Sequence, residues 1–227
     1  MALIDLIFPK RCLECNKEGQ YICQNCITKV QILKPVCPYC EKSSIDGFTH
    51  IKCKKKLCLD GLCGVWRYGG VIKKAIQALK YKYATEIVQE LCGYFVPELA
   101  KLSIKNIFTT DFAFIPIPIY WHRENVRGFN QSEEIGKIIA NKMVWKFDPN
   151  LLMRTKSAKP QAGLTVADRK KNLRGVFSVP IHDSSFIIPN SVILFDDVFT
   201  TGSTLHEACK ILKRNGVEKV WGLTVAR

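Results

Sequence analysis

Apolar and polar positions change their rhythm near residue 60 of this 227-residue chain. Upstream, cysteines, lysines and turn residues follow one another without any long periodic stretch, the pattern of a small metal-organised module. Downstream, segment 62–68 (LCGVWRY) reads as a strand and Gly69-Gly70 as a turn. Segment 71–81 sets Val71, Ala75, Ile76 and Leu79 at helical spacing, and 86–100 repeats that spacing with Ile87, Leu91, Tyr94 and Phe95. The run FAFIPIPI (112–119) predicts a buried strand stopped by Pro116 and Pro118. A helix follows over 131–143, with Ile135, Ile138, Ile139 and Met143 on one face. Segment 151–175 has no clear period and reads as a long loop or lid.

The last forty residues carry the sharpest pattern. A short apolar strand (192–195) is terminated by Asp196 and Asp197, and the polar loop Thr200-Thr201-Gly202-Ser203-Thr204 comes next. A helix then places Leu205, Ala208, Cys209 and Leu212 on one face and stops at Asn215-Gly216. Lys210, Lys213 and Arg214 lie in its last turns, where the helix dipole favours cations. Segment 220–225 is the next strand. This strand–loop–helix–strand order predicts an α/β fold with a parallel sheet flanked by helices. The chain thus divides into a module over 1–60 and an α/β domain over 61–227, with no internal repeat outside the module.

Composition removes several classes. Apolar residues make up 47% and charged residues 24%, so the chain is globular rather than disordered or low-complexity. No window of 18 uncharged apolar residues occurs, so no membrane insertion is expected. The start, MALIDLIFPKR, lacks a basic n-region and a small-residue cleavage site, and Asp5 interrupts its apolar run. A cytoplasmic location, with reduced thiols, is the expectation.

In a reducing compartment the 11 cysteines point to metal rather than disulfides. Cys12-x2-Cys15, Cys23-x2-Cys26 and Cys37-x2-Cys40 are knuckle pairs, whose spacing lets both sulfurs face one ion. Tetrahedral sites take four ligands, and His50-x2-Cys53 supplies a fourth pair. One zinc is therefore assigned to Cys12, Cys15, Cys23 and Cys26, and a second to Cys37, Cys40, His50 and Cys53. Spacing leaves open a crossed pairing of the first knuckle with the third, and Cys58 in place of His50. Cys63, Cys92 and Cys209 fall on apolar faces and are expected in the core.

The formal charge is +14, and residues 151–175 hold seven basic side chains against one acid, Asp168. Such a patch suits a polyphosphate or nucleic acid. The 196–204 stretch has a matching use. Loop N–H groups and hydroxyls can surround a phosphate at a helix N-terminus, and Gly202 allows close approach. The two carboxylates can accept hydrogen bonds from vicinal sugar hydroxyls, as acids at the ends of parallel strands do. Together they describe a site for a ribose 5-phosphate group. The G-x-x-x-x-G-K-[ST] loop of NTPases and the G-x-G-x-x-G of dinucleotide domains are both absent.

ILFDDVFTTGST (193–204) resembles the signature of type I phosphoribosyltransferases that binds 5-phosphoribosyl 1-pyrophosphate (PRPP). RGFNQSEEIG (127–136), KPQAGLTVADRKKNLRGVF (159–177) and ALKYK (78–82) narrow the resemblance to the ComF family, as does a zinc ribbon ahead of such a domain. His50 stands where a knuckle cysteine is more usual. The resemblance implies a type I phosphoribosyltransferase-like sheet behind a zinc-ribbon module. It assigns Asp196 and Asp197 to the ribose hydroxyls and Thr200, Thr201, Gly202, Ser203 and Thr204 to the 5-phosphate, with Mg²⁺ bound mainly by PRPP itself. Lys80 and Arg127 become candidates for stabilising the departing pyrophosphate. Arg154, Lys156 and Arg169 could close over it, and Asn130 and Gln131 either touch substrate or fix their loop. No residue stands out as a general base; His122 is nearest in sequence to RGFNQ.

Two functional classes follow. One is Mg²⁺-dependent phosphoribosyl transfer from PRPP. The other is a non-catalytic PRPP- or nucleotide-binding protein that handles single-stranded DNA during competence, beside a helicase-like partner, as the resemblance implies. Lys54-Lys55-Lys56 with Trp66, Tyr68, Tyr81 and Tyr83 are compatible with strand binding, although packing is the commoner use of such aromatics.

Overall fold

The computed structural model describes residues 9–79, 84–102, 112–120, 128–155, 175–180 and 188–227. In chain order the elements are α1 (Gln24–Ile27), β1 (Gly61–Trp66), α2 (Gly70–Ala78), α3 (Ala84–Ala100), β2 (Phe112–Pro116), α4 (Gln131–Met143), β3 (Met153–Arg154), β4 (Phe177–Ser178), β5 (Ser191–Val198), α5 (Ser203–Arg214) and β6 (Lys219–Ala226). Four strands form one sheet in the order β1-β6-β5-β2, with every pairing parallel. β5 and β6 are its inner strands and read as near-continuous apolar runs, as strands covered on both faces must.

Alternation along β5 feeds two cores. Ile193 and Phe195 join a cluster with Val71, Ile72, Leu91, Phe95, Ile135 and Ile139, contributed by α2, α3 and α4. Val192 and Leu194 join another with Leu205, Ala208, Cys209 and Leu212 of α5. Helices therefore cover both faces of the sheet, as the α/β reading expects. Cys92 and Cys209 are buried and Cys63 half-buried against the first cluster.

One expectation needs correction. Asp196 and Asp197 do not end β5, which continues to Val198, with Asp196 opposite Thr224 and Val198 opposite Ala226. β6 stays buried as far as Ala226 and offers ladder partners to the whole stretch, so the backbone keeps pairing past both charged side chains. Segment 151–175 begins with β3, which pairs antiparallel with β4. Lys156, Arg169 and the rest of 156–174 lie outside the described residues, as do Lys80, Arg127, His122, Tyr81 and Tyr83.

The cysteine-rich segment shares the sheet's core. Cys12, Ile22, Cys23, Cys26 and Ile27 belong to the same buried cluster as Phe95 and Trp221. The Ile22 N–H donates to Glu90 Oε2 of α3 at 2.8 Å, and Leu33 N–H donates to the Val65 carbonyl at 2.8 Å. Among the described residues no helix is long and apolar enough to cross a membrane.

α4 is bounded by local chemistry. The Asn130 side chain accepts from the Ser132 N–H at its start, and Glu133 and Glu134 occupy its first turn. At its far end Val144 adopts the left-handed conformation, φ 57°, with its side chain 91% exposed. That conformation crowds Cβ against the following carbonyl, and a β-branched residue gains nothing there from packing. Val144→Gly should therefore raise the unfolding free energy by about 1 kcal/mol, read as a shift in the urea midpoint at unchanged slope.

Candidate functional site

The carboxyl ends of β5 and β6 carry the loop from Phe199 to Gly202, which turns directly into α5. Gly202 has φ +67°, and a Cβ there would lie 2.5 Å from the Phe199 ring. Only glycine fits this turn. The N-cap of α5 is Gly202, which has no side chain to cap with, and the Ser203 N–H has only a long contact, 3.5 Å, to Thr201 Oγ1. Thr201 Oγ1 and Ser203 Oγ lie 2.9 Å apart, so two hydroxyls converge beside this helix end. Backbone N–H groups, a helix dipole and hydroxyls are together suited to an anion.

Asp196 faces α4. Its Oδ1 accepts from the Ser132 hydroxyl at 3.1 Å and from the Asp197 N–H at 3.0 Å. Burial raises the Asp196 pKa well above 3.8, and the neighbouring Asp197 charge raises it further, against the lowering effect of those two hydrogen bonds. The Tyr68 phenol is also raised, by burial first and then by the charge of Asp197. Tyr68 lines a cavity of about 420 Å³ with Arg67, Val198, Phe199, Thr200 and Arg227.

Two of the stretches singled out in the sequence thus meet. RGFNQS reaches FDDV through Ser132, which sequence reading did not single out although it sits inside the quoted motif. Asn130 is a loop-fixing residue: buried, it caps α4 and donates from Nδ2 to the Ile117 carbonyl at 3.1 Å. Gln131 is buried beside it. Arg154 lies with its guanidinium 5.7 Å from the Phe177 ring centre, a cation–π contact on the α5 side of the sheet. Glu207, buried on α5, accepts from the Gly175 N–H at 2.9 Å and so fastens the end of the lid segment to the helix behind the loop. A charged residue on the buried face of α5 was the sequence signal for it. Trp66 is core, and Lys54, Lys55 and Lys56 are exposed.

Seven cysteines and His50 gather in two sets of four, Cys12, Cys15, Cys23, Cys26 and Cys37, Cys40, His50, Cys53, and within each set the donor atoms lie within 4.8 Å of one another. This is the sequential arrangement, not the crossed one. Cys58 stays outside, its Sγ accepting from the Lys55 N–H at 3.2 Å. His50 Nδ1 points at Cys40 Sγ, 3.3 Å away, while Nε2 lies 3.1 Å from the Ser43 carbonyl. That orients Nδ1 as the ligand and Nε2–H as the donor to an outer partner, the usual arrangement of a zinc histidine. Desolvation opposes ionisation of Cys12, yet the N–H groups of Cys15, Cys23 and Glu14 bring its thiol down to about 6. Cys37 is likewise desolvated but brought to about 7 by the N–H groups of Cys40, His50 and Tyr39. In each set backbone N–H groups favour the thiolate of one cysteine, while burial and the neighbouring sulfurs push Cys26 and Cys53 upward. A divalent cation resolves that crowding, and both donor sets suit structural zinc.

Two outcomes follow from this chemistry. Purified protein should carry two zinc ions per chain, and a chelator should strip amide-exchange protection from residues 9–60 before the sheet; retained protection after metal loss would overturn the assignment. Asp196→Asn keeps the acceptor oxygen and removes the buried charge. Because the folded pKa lies above the unfolded one, the native state binds the extra proton and wild-type stability falls as pH rises above 3.8. The variant should therefore melt higher than wild type near neutrality, with the gap closing as pH falls through the carboxylate range.

Comparison with known proteins finds a family model for the cysteine-rich segment and relatives over most of the chain. Residues 3–63 match the double zinc ribbon domain family. Competence protein F of Haemophilus influenzae is 30% identical over 96% of this chain and 98% of its own length. DNA utilization protein YhgH of Escherichia coli K12 is 26% identical over 89% of each chain. Competence protein ComFC of Bacillus subtilis is 24% identical over 91% of this chain and 83% of its own. With a relative matched at that identity almost from end to end, the chain belongs to the competence protein F (ComF) family.

Proposed function

We propose that this chain is a ComF-type protein of DNA uptake and utilisation whose Thr200–Thr204 loop binds PRPP and whose site transfers the phosphoribosyl group to an acceptor base. The observation that carries the reading is the Gly202 turn. It opens the N-terminus of α5 beside two converging hydroxyls, one short loop beyond the strand β5 that carries the carboxylate pair near its end. Loop N–H groups and the hydroxyls of Thr200, Thr201, Ser203 and Thr204 hold the 5-phosphate. Asp196 and Asp197 accept the ribose hydroxyls, with Ser132 keeping the Asp196 carboxylate turned toward α4.

In the transfer, the C1–oxygen bond to pyrophosphate breaks and a C1–nitrogen bond to the acceptor forms. Pyrophosphate leaves with the electron pair, and the acceptor gives up its N–H proton. Lys80 and Arg127 stabilise the charge that grows on the leaving group, and Arg154, Lys156 and Arg169 exclude water. Mg²⁺ supplies further charge neutralisation on the pyrophosphate. A cation that keeps several waters and rides on the substrate's phosphates needs few protein ligands, and the adjacent carboxylates of Asp196 and Asp197 are enough to meet it through the ribose hydroxyls.

A second reading has one specific observation in its favour. Several relatives bear names of competence or DNA utilisation rather than of an enzyme. On that reading PRPP or a nucleotide is bound without turnover, and the +14 charge serves single-stranded DNA.

Calorimetric titration with PRPP and Mg²⁺, followed by pyrophosphate release with a panel of bases, separates the two. Binding with release on one base establishes transfer. Binding without release favours the second reading, and affinity for single-stranded DNA should then fall steeply with salt. Asp196→Asn combined with Asp197→Asn should abolish PRPP binding in a folded protein; unchanged affinity would remove the site.

A further inference from the structure

A single side chain connects the second cysteine cluster to the loop. Tyr39 lies inside the Cys37-Pro38-Tyr39-Cys40 knuckle, and its ring stacks on His206 at 4.5 Å between centres and 11° between planes. His206 belongs to the first turn of α5, where its N–H donates to the Gly202 carbonyl at 2.8 Å. Its ring also meets the Phe199 ring edge-on, at 6.1 Å and 84°. Gly202 is enclosed by these two rings: an added Cβ would lie 2.5 Å from Phe199 and 2.9 Å from His206. The Tyr39 hydroxyl accepts from the Leu59 N–H at 2.8 Å, which fixes the ring against sliding.

The same region grips α5 at its other end. Lys213 Nζ lies 2.7 Å from Asp60 Oδ2, and that carboxylate also accepts from the Val220 N–H at 2.9 Å. Thr49 N–H donates to the Asp60 carbonyl at 2.8 Å, and Phe48 packs edge-on against Trp221 at 4.8 Å. The second cluster is thus tied to the first turn of α5 by Tyr39 and to its last turn through Asp60.

We propose that the second cluster braces the phosphate loop and that Tyr39 is the positioning residue through which it acts. With Cys37, Cys40, His50 and Cys53 joined by metal, Tyr39 holds His206, and His206 with Phe199 keeps the Gly202 turn in its ligand-accepting shape. With the cluster open, the knuckle loses the bonds that fold it, the stack is released, and the loop must be ordered by its ligand at a cost in affinity. The inference rests on the reading of 199–204 as a phosphate loop.

The test compares full-length wild type, Tyr39→Ala, Tyr39→Phe and Cys53→Ser, by amide exchange over 199–207 without ligand and by PRPP–Mg²⁺ affinity. Tyr39→Ala and Cys53→Ser should speed exchange in that segment and weaken binding roughly 2- to 10-fold, the span of one aromatic stack. Tyr39→Phe retains the stack but takes the acceptor from the Leu59 N–H, so it should lower global stability while its exchange over 199–207 and its affinity stay nearer wild type than those of Tyr39→Ala. Unchanged exchange and affinity in Tyr39→Ala would overturn the brace, as would a Tyr39→Phe loss equal to that of Tyr39→Ala. Should Cys53→Ser unfold altogether, the Tyr39 pair decides. Should wild type fail to bind PRPP, the phosphate-loop reading falls, while exchange in the Tyr39 variants still judges the brace.

Discussion

β5 and β6 pair in parallel from Ser191 opposite Lys219 to Val198 opposite Ala226. The remaining architecture depends on this ladder. It delivers two adjacent carboxylates to the carboxyl edge of the sheet and sets the point at which the chain must turn into α5. It also splits β5 into side chains for two cores, so helices are required on both faces. Crevices outside the carboxyl ends of parallel strands are where open α/β sheets place ligands, because loops there can vary without disturbing the ladder.

The edge so formed is electrostatically costly. Asp196 is drawn into a poorly hydrated position next to a second carboxylate, and its protonated form gains relative to its charged form. The Ser132 hydroxyl and the Asp197 N–H offset part of that penalty. A fold under selection for stability alone would place an amide or an apolar residue there. A half-buried carboxylate with a raised pKa beside a loop that opens a helix N-terminus is a perturbed group of the kind that clusters at functional sites, and it fits the proposed ligand site.

The cysteine-rich segment is more than an appendage. Its first four-ligand set contributes buried sulfur and isoleucine to the sheet's core, and its second set lies against α5. Backbone N–H groups aimed at Cys12 and Cys37 favour the thiolate form in each set, which suits a bound cation. Metal binding in such a segment is folding energy, and the second set touches α5, the helix that frames the candidate site, through Tyr39.

Much of this was legible in the chain because its signals are local. α4 occupies the 131–143 span expected from its period, α5 buries the Leu205, Ala208, Cys209 and Leu212 face, and the x2 spacings together with His50 mark all eight donor residues of the two sets. The Gly202 turn was readable for the same reason: loop, helix start and glycine are contiguous. Contacts between distant residues were not. Ser132 and Asp196 are separated by 64 positions, and nothing near either predicts their hydrogen bond. The continuation of β5 through both aspartates depends on how far β6 runs beside it, and the sequential pairing of the knuckles depends on how the segment folds against α3 and the sheet. Periodicity and spacing determined the elements and the chemistry they carry, because a helix face, a knuckle or a turn is decided by residues a few positions apart. Only the tertiary structure decided which carboxylate is buried, which hydroxyl meets it and which ring rests on α5, because those depend on packing between segments with no shared local pattern.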